Sequence, residues 1–353
     1  MNKKLMSKKK PSFKISKTLD SYLNNYKRKI EIPIFYEDLK RFSGSVSVFN
    51  EKNVDTLWVR AFYSDSERKE IDFNLKKVYN LLHSDGNEDN IKFLNVDAID
   101  YCTFGNSKPF RIKIRNILND NFTYFYVKKA DASRIYGLEL EHVLSPYNLN
   151  FLVFQNTLIE EHITGVPGDE FYENFLPKCS DMEKAQIAKE FVKFNERCMI
   201  RLLGDMRSYN YVVIPTHDFD KVVYKIRAID FDQQCFEGNL QVYRPQFFKE
   251  NNEIMNIVKE KLESNSVKQY KIEERSILAK RILSSLDRSE ELIKCMIVDK
   301  ISEKNKIKLL ARQIYELTSD NNFKKAGGMG EIMKASFDYI LRNYENHEML
   351  SID

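Results

Sequence analysis

Two short stretches of this 353-residue chain hold side chains suited to chemistry: Leu203-Gly204-Asp205-Met206-Arg207-Ser208-Tyr209-Asn210 and Ile229-Asp230-Phe231-Asp232. Asp205 and Asn210 stand five residues apart. Two apolar runs, Tyr211 to Ile214 and Val222 to Ile229, read as a hairpin around Pro215 to Lys221, which returns Asp230 to the side of Asn210. Phosphoryl transfer asks a protein for little covalent work. It needs a carboxylate to receive the acceptor hydroxyl's proton, hard oxygens to hold magnesium, and a cation on the phosphates. Asp205 can supply the first, and Asn210 with Asp230 the second. Either motif alone is common in ordinary loops. Their order around the hairpin is what makes the set specific.

The elements that would position these residues can be read outward from them. Ser180-Asp181-Met182-Glu183 is a capping box, and it opens a helix with Ile187, Phe191, Phe194 and Cys198 on one face. That helix delivers the Asp205 loop. Further upstream, Phe93 to Tyr101 reads as a strand, followed by the turn Phe104-Gly105-Asn106-Ser107-Lys108-Pro109. Phe110 to Leu118 begins by alternating Phe110, Ile112 and Ile114 with Arg111, Lys113 and Arg115, the period of a half-buried strand. Asn119-Asp120-Asn121 is a turn signal, Phe122 to Lys129 a third strand, and Ser133 to Leu144 a helix. Asn150 to Ile163 gives two more strands split near Gln155-Asn156.

In this order, residues from about 91 to 245 resemble the protein-kinase-like fold, in its aminoglycoside phosphotransferase and lipopolysaccharide-core kinase branch. The resemblance rests on short motifs and their succession. It implies an α+β, bilobal protein-kinase-like fold with a β-rich N-lobe and a helical C-lobe, and it implies ATP and magnesium as cofactors. It makes Asp205 the catalytic carboxylate, and Asn210 and Asp230 the magnesium ligands. Lys128 sits where the fold places its phosphate-binding lysine, with Lys129 as the competing register. That lysine needs a carboxylate from the next helix; Glu141 is preferred to Glu139, because Leu144 lies at i+3 on the presumed core face. The turn with Gly105 and Ser107 takes the place of the phosphate loop, and Lys108 is a further candidate there. The hinge beside adenine falls near Glu161 to Ile163. The pattern departs from protein kinases in three places: Gly-Asp replaces His-Arg-Asp, Asp232 replaces the glycine of Asp-Phe-Gly, and the phosphate loop has a single glycine. Asp232 reads equally as support for the metal site or as a surface carboxylate.

The rest of the chain sets limits. Expected boundaries are a basic flexible tail over 1–28, a small N-terminal accessory α/β unit over 29–90, the N-lobe over 91–163 and the C-lobe over 164–353. The accessory unit rests on a β-like Asp55 to Tyr63 and on Ser64-Asp65-Ser66-Glu67, a second capping box before Ile71, Leu75, Val78, Tyr79 and Leu82. The net charge of +4 does not suggest nucleic acid as a partner. Lys3, Lys4, Lys8, Lys9, Lys10, Lys14 and Lys17 precede the first acid, which reads as a solvated tail or as a peripheral contact with an anionic membrane. They lack the apolar run of an export signal, and with five widely spaced cysteines this reads as a reduced, cytoplasmic protein without zinc. No histidine has metal-ligand spacing, and Gly327-Gly328-Met329-Gly330 reads as a turn between helices. The expected partners are a nucleotide and an unknown hydroxyl acceptor. No Ala-Pro-Glu or long activation segment follows Asp232, so a small-molecule, sugar or glycolipid acceptor is expected. The alternatives are a protein Ser/Thr kinase, or a non-catalytic pseudokinase-type module that binds nucleotide or a protein.

Overall fold

The structure, a computed structural model, describes residues 10–83, 88–219 and 221–344. The N-terminal lysines up to Lys9, with the membrane contact expected of them, and the end of the C-terminal tail lie outside the described residues. Packing divides the chain into two compact units.

One unit comprises residues 14–131 and 148–162. Its first helix, α1 (Lys17–Asn25), falls where a flexible tail was expected. The Ser16 hydroxyl accepts from Leu19 N at 3.1 Å, and Leu19, Tyr22 and Leu23 bury one face, which gives the segment a reason to order. After α2 (Tyr36–Leu39) come β1 (Gly44–Phe49), β2 (Asp55–Phe62), α3 (Asp65–His83), β3 (Leu94–Cys102), β4 (Phe110–Asn116), β5 (Phe122–Lys129), β6 (Phe151–Phe154) and β7 (Thr157–Glu161). The strands form one antiparallel sheet in the order β1-β2-β3-β4-β5-β7-β6.

The alternation in β4 sorts its side chains as expected. Phe110, Ile112 and Ile114 join Phe125, Val127, Leu75 and Val78 in a single apolar core, and α3 covers that face of the sheet. Each such buried aliphatic side chain is worth about 2 kcal/mol. The capping residue Ser64 donates through both its N–H and its hydroxyl to Glu67, at 3.3 and 2.6 Å. β2 pairs directly with β3 through Trp58↔Cys102, Val59↔Tyr101 and Arg60↔Asp100, so residues 29–90 extend the sheet and share its core.

The other unit contains the segment ending at Phe13, residues 132–147, and the chain from Ile163 onward. It comprises α4 (Ala132–Leu144), β8 (Val166–Pro167), α5 (Gly168–Asn174), α6 (Asp181–Ile200), β9 (Tyr211–Asp218), β10 (Lys221–Ala228), α7 (Asn252–Lys261), α8 (Ser264–Ser284), α9 (Leu286–Val298), α10 (Lys304–Thr318), α11 (Asn321–Lys325) and α12 (Met329–Asn343). A small sheet runs β10-β9-β8. Three strands, a helix and two strands follow one another as expected, in β3, β4, β5, α4, β6 and β7, but α4 packs with the helical unit. Its residues are buried throughout except His142. Gly330 explains itself by packing: a Cβ there would lie 2.2 Å from the Met296 backbone, so glycine lets α12 cross α9 closely. The class is α+β, with the β-rich part N-terminal and the helical part C-terminal, as expected of a kinase-like chain. Among the described residues no helix is long and apolar enough to cross a membrane.

Candidate active site

The Asp205 loop is built from α6 onward. Ser180 and Glu183 close the expected capping box at its start, and Ile187, Phe191, Phe194 and Cys198 are buried along it. The helix ends at Arg201, and the chain reverses through Leu202, whose φ is +52°. Backbone bonds then fix the loop: Leu203 N to Cys198 O at 2.9 Å, Gly204 N to Gln233 O at 3.1 Å and Asp205 N to Val242 O at 3.1 Å. Asp205 itself adopts φ +60°, a left-handed conformation that Asp tolerates better than most residues.

The structure brings Asp205, Asn210 and Asp230 together. Asn210 Nδ2 donates to the Asp205 carbonyl at 2.7 Å, and Asn210 O accepts from Ile229 N at 3.0 Å. The hairpin pairs Ala228 with Tyr211, which returns the chain so that Asp230 follows directly beside the Asn210 turn. Burial pushes the Asp205 carboxyl up to about 6, opposed by its bond to Arg207 and reinforced by the negative charges of Asp230 and Glu250.

Each of these carboxylates has a guanidinium beside it. Arg207 Nε donates to Asp205 Oδ1 at 2.8 Å and its Nη1 to Glu250 Oε1 at 2.7 Å. Arg134, on α4, donates through Nε to Asp232 Oδ1 at 2.7 Å and through Nη2 to Asp230 Oδ1 at 3.1 Å. Asp232 N also donates to Asp230 Oδ1, at 2.9 Å. Asp232 therefore bonds into the same cluster as Asp230.

Magnesium suits the oxygens present. With Nδ2 committed to Asp205 O, Asn210 offers Oδ1 as its ligating atom, and Asp230 offers a carboxylate. Among the described residues no three His, Cys, Asp or Glu side chains gather into a metal cage. A site of one amide and one carboxylate is typical for magnesium, which keeps waters and takes its remaining ligands from phosphate oxygens.

The expected residues of the β-rich unit fall as follows. Lys128 is the buried one of the two neighbouring lysines, and Lys129 is exposed. Lys128 was expected to pair with Glu141. Lys128 Nζ donates instead to Glu160 Oε2 at 2.5 Å. Strand pairing explains the choice. Lys128 stands opposite Leu158, so Glu160, two residues along β7, projects from the same face. Glu141 is bound to Arg201, and Glu139 accepts two bonds from Arg288 Nη2, at 3.0 and 2.7 Å. Both glutamates are thus held by arginines of the helical unit.

Gly105 has φ +82° and no atom near a would-be Cβ, so it serves the turn rather than a close contact. Ser107 lies in the same bend. Glu161 ends β7 with its N–H on Asn150 O at 3.1 Å, and Ile163 is buried in the helical unit. The face of the sheet that carries Lys128 is polar and aromatic. Asp100 sits between Arg60 Nε at 2.5 Å and Arg111 Nη2 at 2.9 Å, Arg111 stacks on Trp58 with 4.6 Å to the ring centre, and the Tyr126 hydroxyl meets His162 Nδ1 at 3.1 Å.

Sequence reasoning missed Arg134, Glu160, Glu250 and Asn251. Asn251 is fully buried; its Nδ2 donates to Met206 O at 2.9 Å and Pro245 O at 2.8 Å, and its Oδ1 accepts from Tyr211 Oη at 2.7 Å. It thereby fixes the residue after Asp205. No local pattern marks it, because the bond to Met206 spans 45 residues. Arg207 lay inside the quoted motif, and its i+2 spacing from Asp205 was the available signal.

No protein-family model and no curated protein sequence matches this chain. Among solved structures, an ethanolamine kinase from Plasmodium vivax is similar over 87% of this chain and 94% of that chain, with 13% sequence identity and a TM-score of 0.31. What the site can do is therefore read from the chain's own residues.

Proposed function

We propose that the chain is an ATP- and magnesium-dependent phosphotransferase acting on the hydroxyl of a small molecule, sugar or glycolipid. The observation that carries the reading is the gathering of Asp205, Asn210 and Asp230 on one loop and at the end of the hairpin that follows it. Bound magnesium would neutralise charge on the transferring phosphate. Asn210 and Asp230 would hold it. Asp205 would orient the acceptor hydroxyl. As that oxygen bonds to the γ-phosphorus and the bond to the leaving phosphate oxygen breaks, the hydroxyl proton passes to the Asp205 carboxylate. Burial favours this step, since a carboxyl raised to about 6 is mostly ionised at neutral pH and is a better proton acceptor than an ordinary aspartate.

One observation favours a second reading, a non-catalytic nucleotide-binding module. Arg207 and Arg134 already neutralise the carboxylates that chemistry would use. Thermal unfolding with ATP, with and without magnesium, separates the cases. A ligand at a hundredfold its Kd adds about 2.7 kcal/mol to the stability of the folded state. The enzyme reading expects a magnesium-dependent rise in Tm that Asp230→Ala abolishes. It expects Asp205→Ala to keep that rise and to lose phosphate transfer to an accepted substrate by at least roughly a hundredfold. A Tm unmoved by millimolar nucleotide would sink both readings. A shift without transfer to any acceptor, water included, would leave the module.

A further inference from the structure

The N-terminal segment that ends at Phe13 packs within the helical unit, and Phe13 makes two separate contacts there. Its carbonyl accepts from Ala132 N at 2.9 Å, and its ring centre lies 6.0 Å from that of Phe236. Both partners are buried: Ala132, which opens α4, is 0% exposed and Phe236 1%. The first amides of a helix have no acceptor within the helix, so a buried one needs an acceptor from elsewhere. Phe13 supplies it. The next two residues of that turn bind the segment that carries Asp230. Ser133 Oγ donates to Gln234 O at 2.6 Å, and Arg134 donates to Asp232 Oδ1 at 2.7 Å and to Asp230 Oδ1 at 3.1 Å. One turn further, α4 runs so close to this segment that a Cβ on Gly137 would come within 3.0 Å of Phe231 Cβ. Phe236 is fixed in its turn by the Lys306 ammonium, 3.6 Å from its ring centre. The contacts therefore close a ring: from Phe13 to Ala132, through Ser133 to Gln234, on to Phe236 and back to Phe13.

We infer that Phe13 is a clamp that locks the first turn of α4 to the 230–236 segment, and is thereby a positioning residue for Asp230. The inference rests on Asp230 being a metal ligand in the proposed function. Helix ends fray, and a first turn whose buried amide has lost its acceptor opens more readily. With the clamp closed, Arg134 keeps one geometry towards Asp230 and Asp232. With it open, Ser133 and Arg134 move with the frayed turn, and the Asp230 carboxylate loses a fixed hydrogen-bond partner. Phe13 itself is only half-buried, so its ring can be removed without opening a cavity in the core.

The test is amide hydrogen exchange on the full chain, read at residue resolution. Phe13→Ala should speed exchange at Ala132 and through the first turn of α4 at least about tenfold, while the interior of α12 exchanges as in wild type. Phe13→Tyr keeps the ring and should stay close to wild type. Phe236→Leu should act on the same amides, and adding it to Phe13→Ala should change little more, since both remove one contact. Phe13→Ala should also need at least about fivefold more ATP than wild type for the same magnesium-dependent rise in Tm, and Phe13→Tyr should not. Unchanged exchange at Ala132 in a folded Phe13→Ala overturns the clamp and leaves the proposed function standing. Faster exchange with an unchanged response to ATP overturns the positioning role. A wild type whose Tm does not respond to ATP sinks the proposed function, and the positioning role falls with it whatever the exchange shows.

Discussion

At the scale of single residues, Asp205 shows function and stability pulling apart. Its carboxyl is raised from the ordinary 3.8 to about 6, first of all by burial. An acid raised in the folded state holds its proton more tightly there than in the unfolded chain. Between pH 3.8 and about 6 the unfolded state has already released the proton, so wild-type stability falls as pH rises through that window. Fully developed above it, the loss is about 3 kcal/mol. Asp205→Asn carries no such charge. Denaturant melts from pH 4 to 8 should show the variant gaining on wild type by up to about 3 kcal/mol as pH increases, less whatever the lost bond to Arg207 costs. Phosphate transfer by wild type should run the other way, rising with pH through about 6 as the carboxylate forms. A stability difference that is flat with pH would show that the buried charge is relieved by something else. The sequence exposed Asp205, Asn210 and Asp230 because their spacing is local. It hid Arg134 because the residue it meets is 98 positions away, and nothing around Arg134 hints at Asp232.

Among the elements, local signals were legible and their pairing was not. The capping boxes at Ser64 and Ser180 and the alternation of β4 are where the sequence puts them. β9 was expected to end at Ile214, with Pro215 to Lys221 as the turn. It runs to Asp218. β8 pairs with Val212 and Val213, so by Pro215 the strand has β10 on one side and, among the described residues, no further strand of this sheet on the other. A proline is tolerated in such an edge position. β1 was missed altogether: Ser45-Val46-Ser47-Val48 does alternate, but the run is short and no residue of Gly44–Phe49 is buried. The most consequential hidden pairing joins α6 to α8. Arg275 and Glu196 are each 1% exposed, Arg275 Nε donates to Glu196 Oε1 at 2.6 Å, and Arg275 Nη1 has no hydrogen-bond partner among the described residues. Glu196→Ala would leave a buried guanidinium unpaired and should cost 3–5 kcal/mol or so in a urea melt, roughly the range for breaking a buried pair. Adding Arg275→Met to a Glu196→Leu background should recover most of that. If the single and double variants are equally unstable, the pair is not what joins these helices.

For the molecule as a whole, the α+β class was the one that the order of motifs and the resemblance implied, while the division of the chain was not legible. The boundary expected near residue 90 cuts through one sheet, because β2 pairs with β3 and α3 lies on the same core as β4 and β5. A break that passes between two paired strands has no signature in composition. It follows that the chain lacking residues 1–90 should be insoluble or fail to give a cooperative melt, since Ile112, Ile114 and Val127 would lose the helix that covers them. A soluble, cooperatively melting fragment over 91–353 would restore the idea of a detachable accessory unit.

The placement of α4 also sets a timetable. It is encoded between strands of the sheet, yet Tyr136 donates to Asp299 at 2.7 Å, 163 residues further along the chain. A ribosome adds on the order of 5–20 residues per second, so roughly ten to thirty seconds separate the emergence of this helix from that of Asp299. Throughout that interval a segment built to be buried on nearly every side has to wait in solvent, and a cell making this protein must shield it.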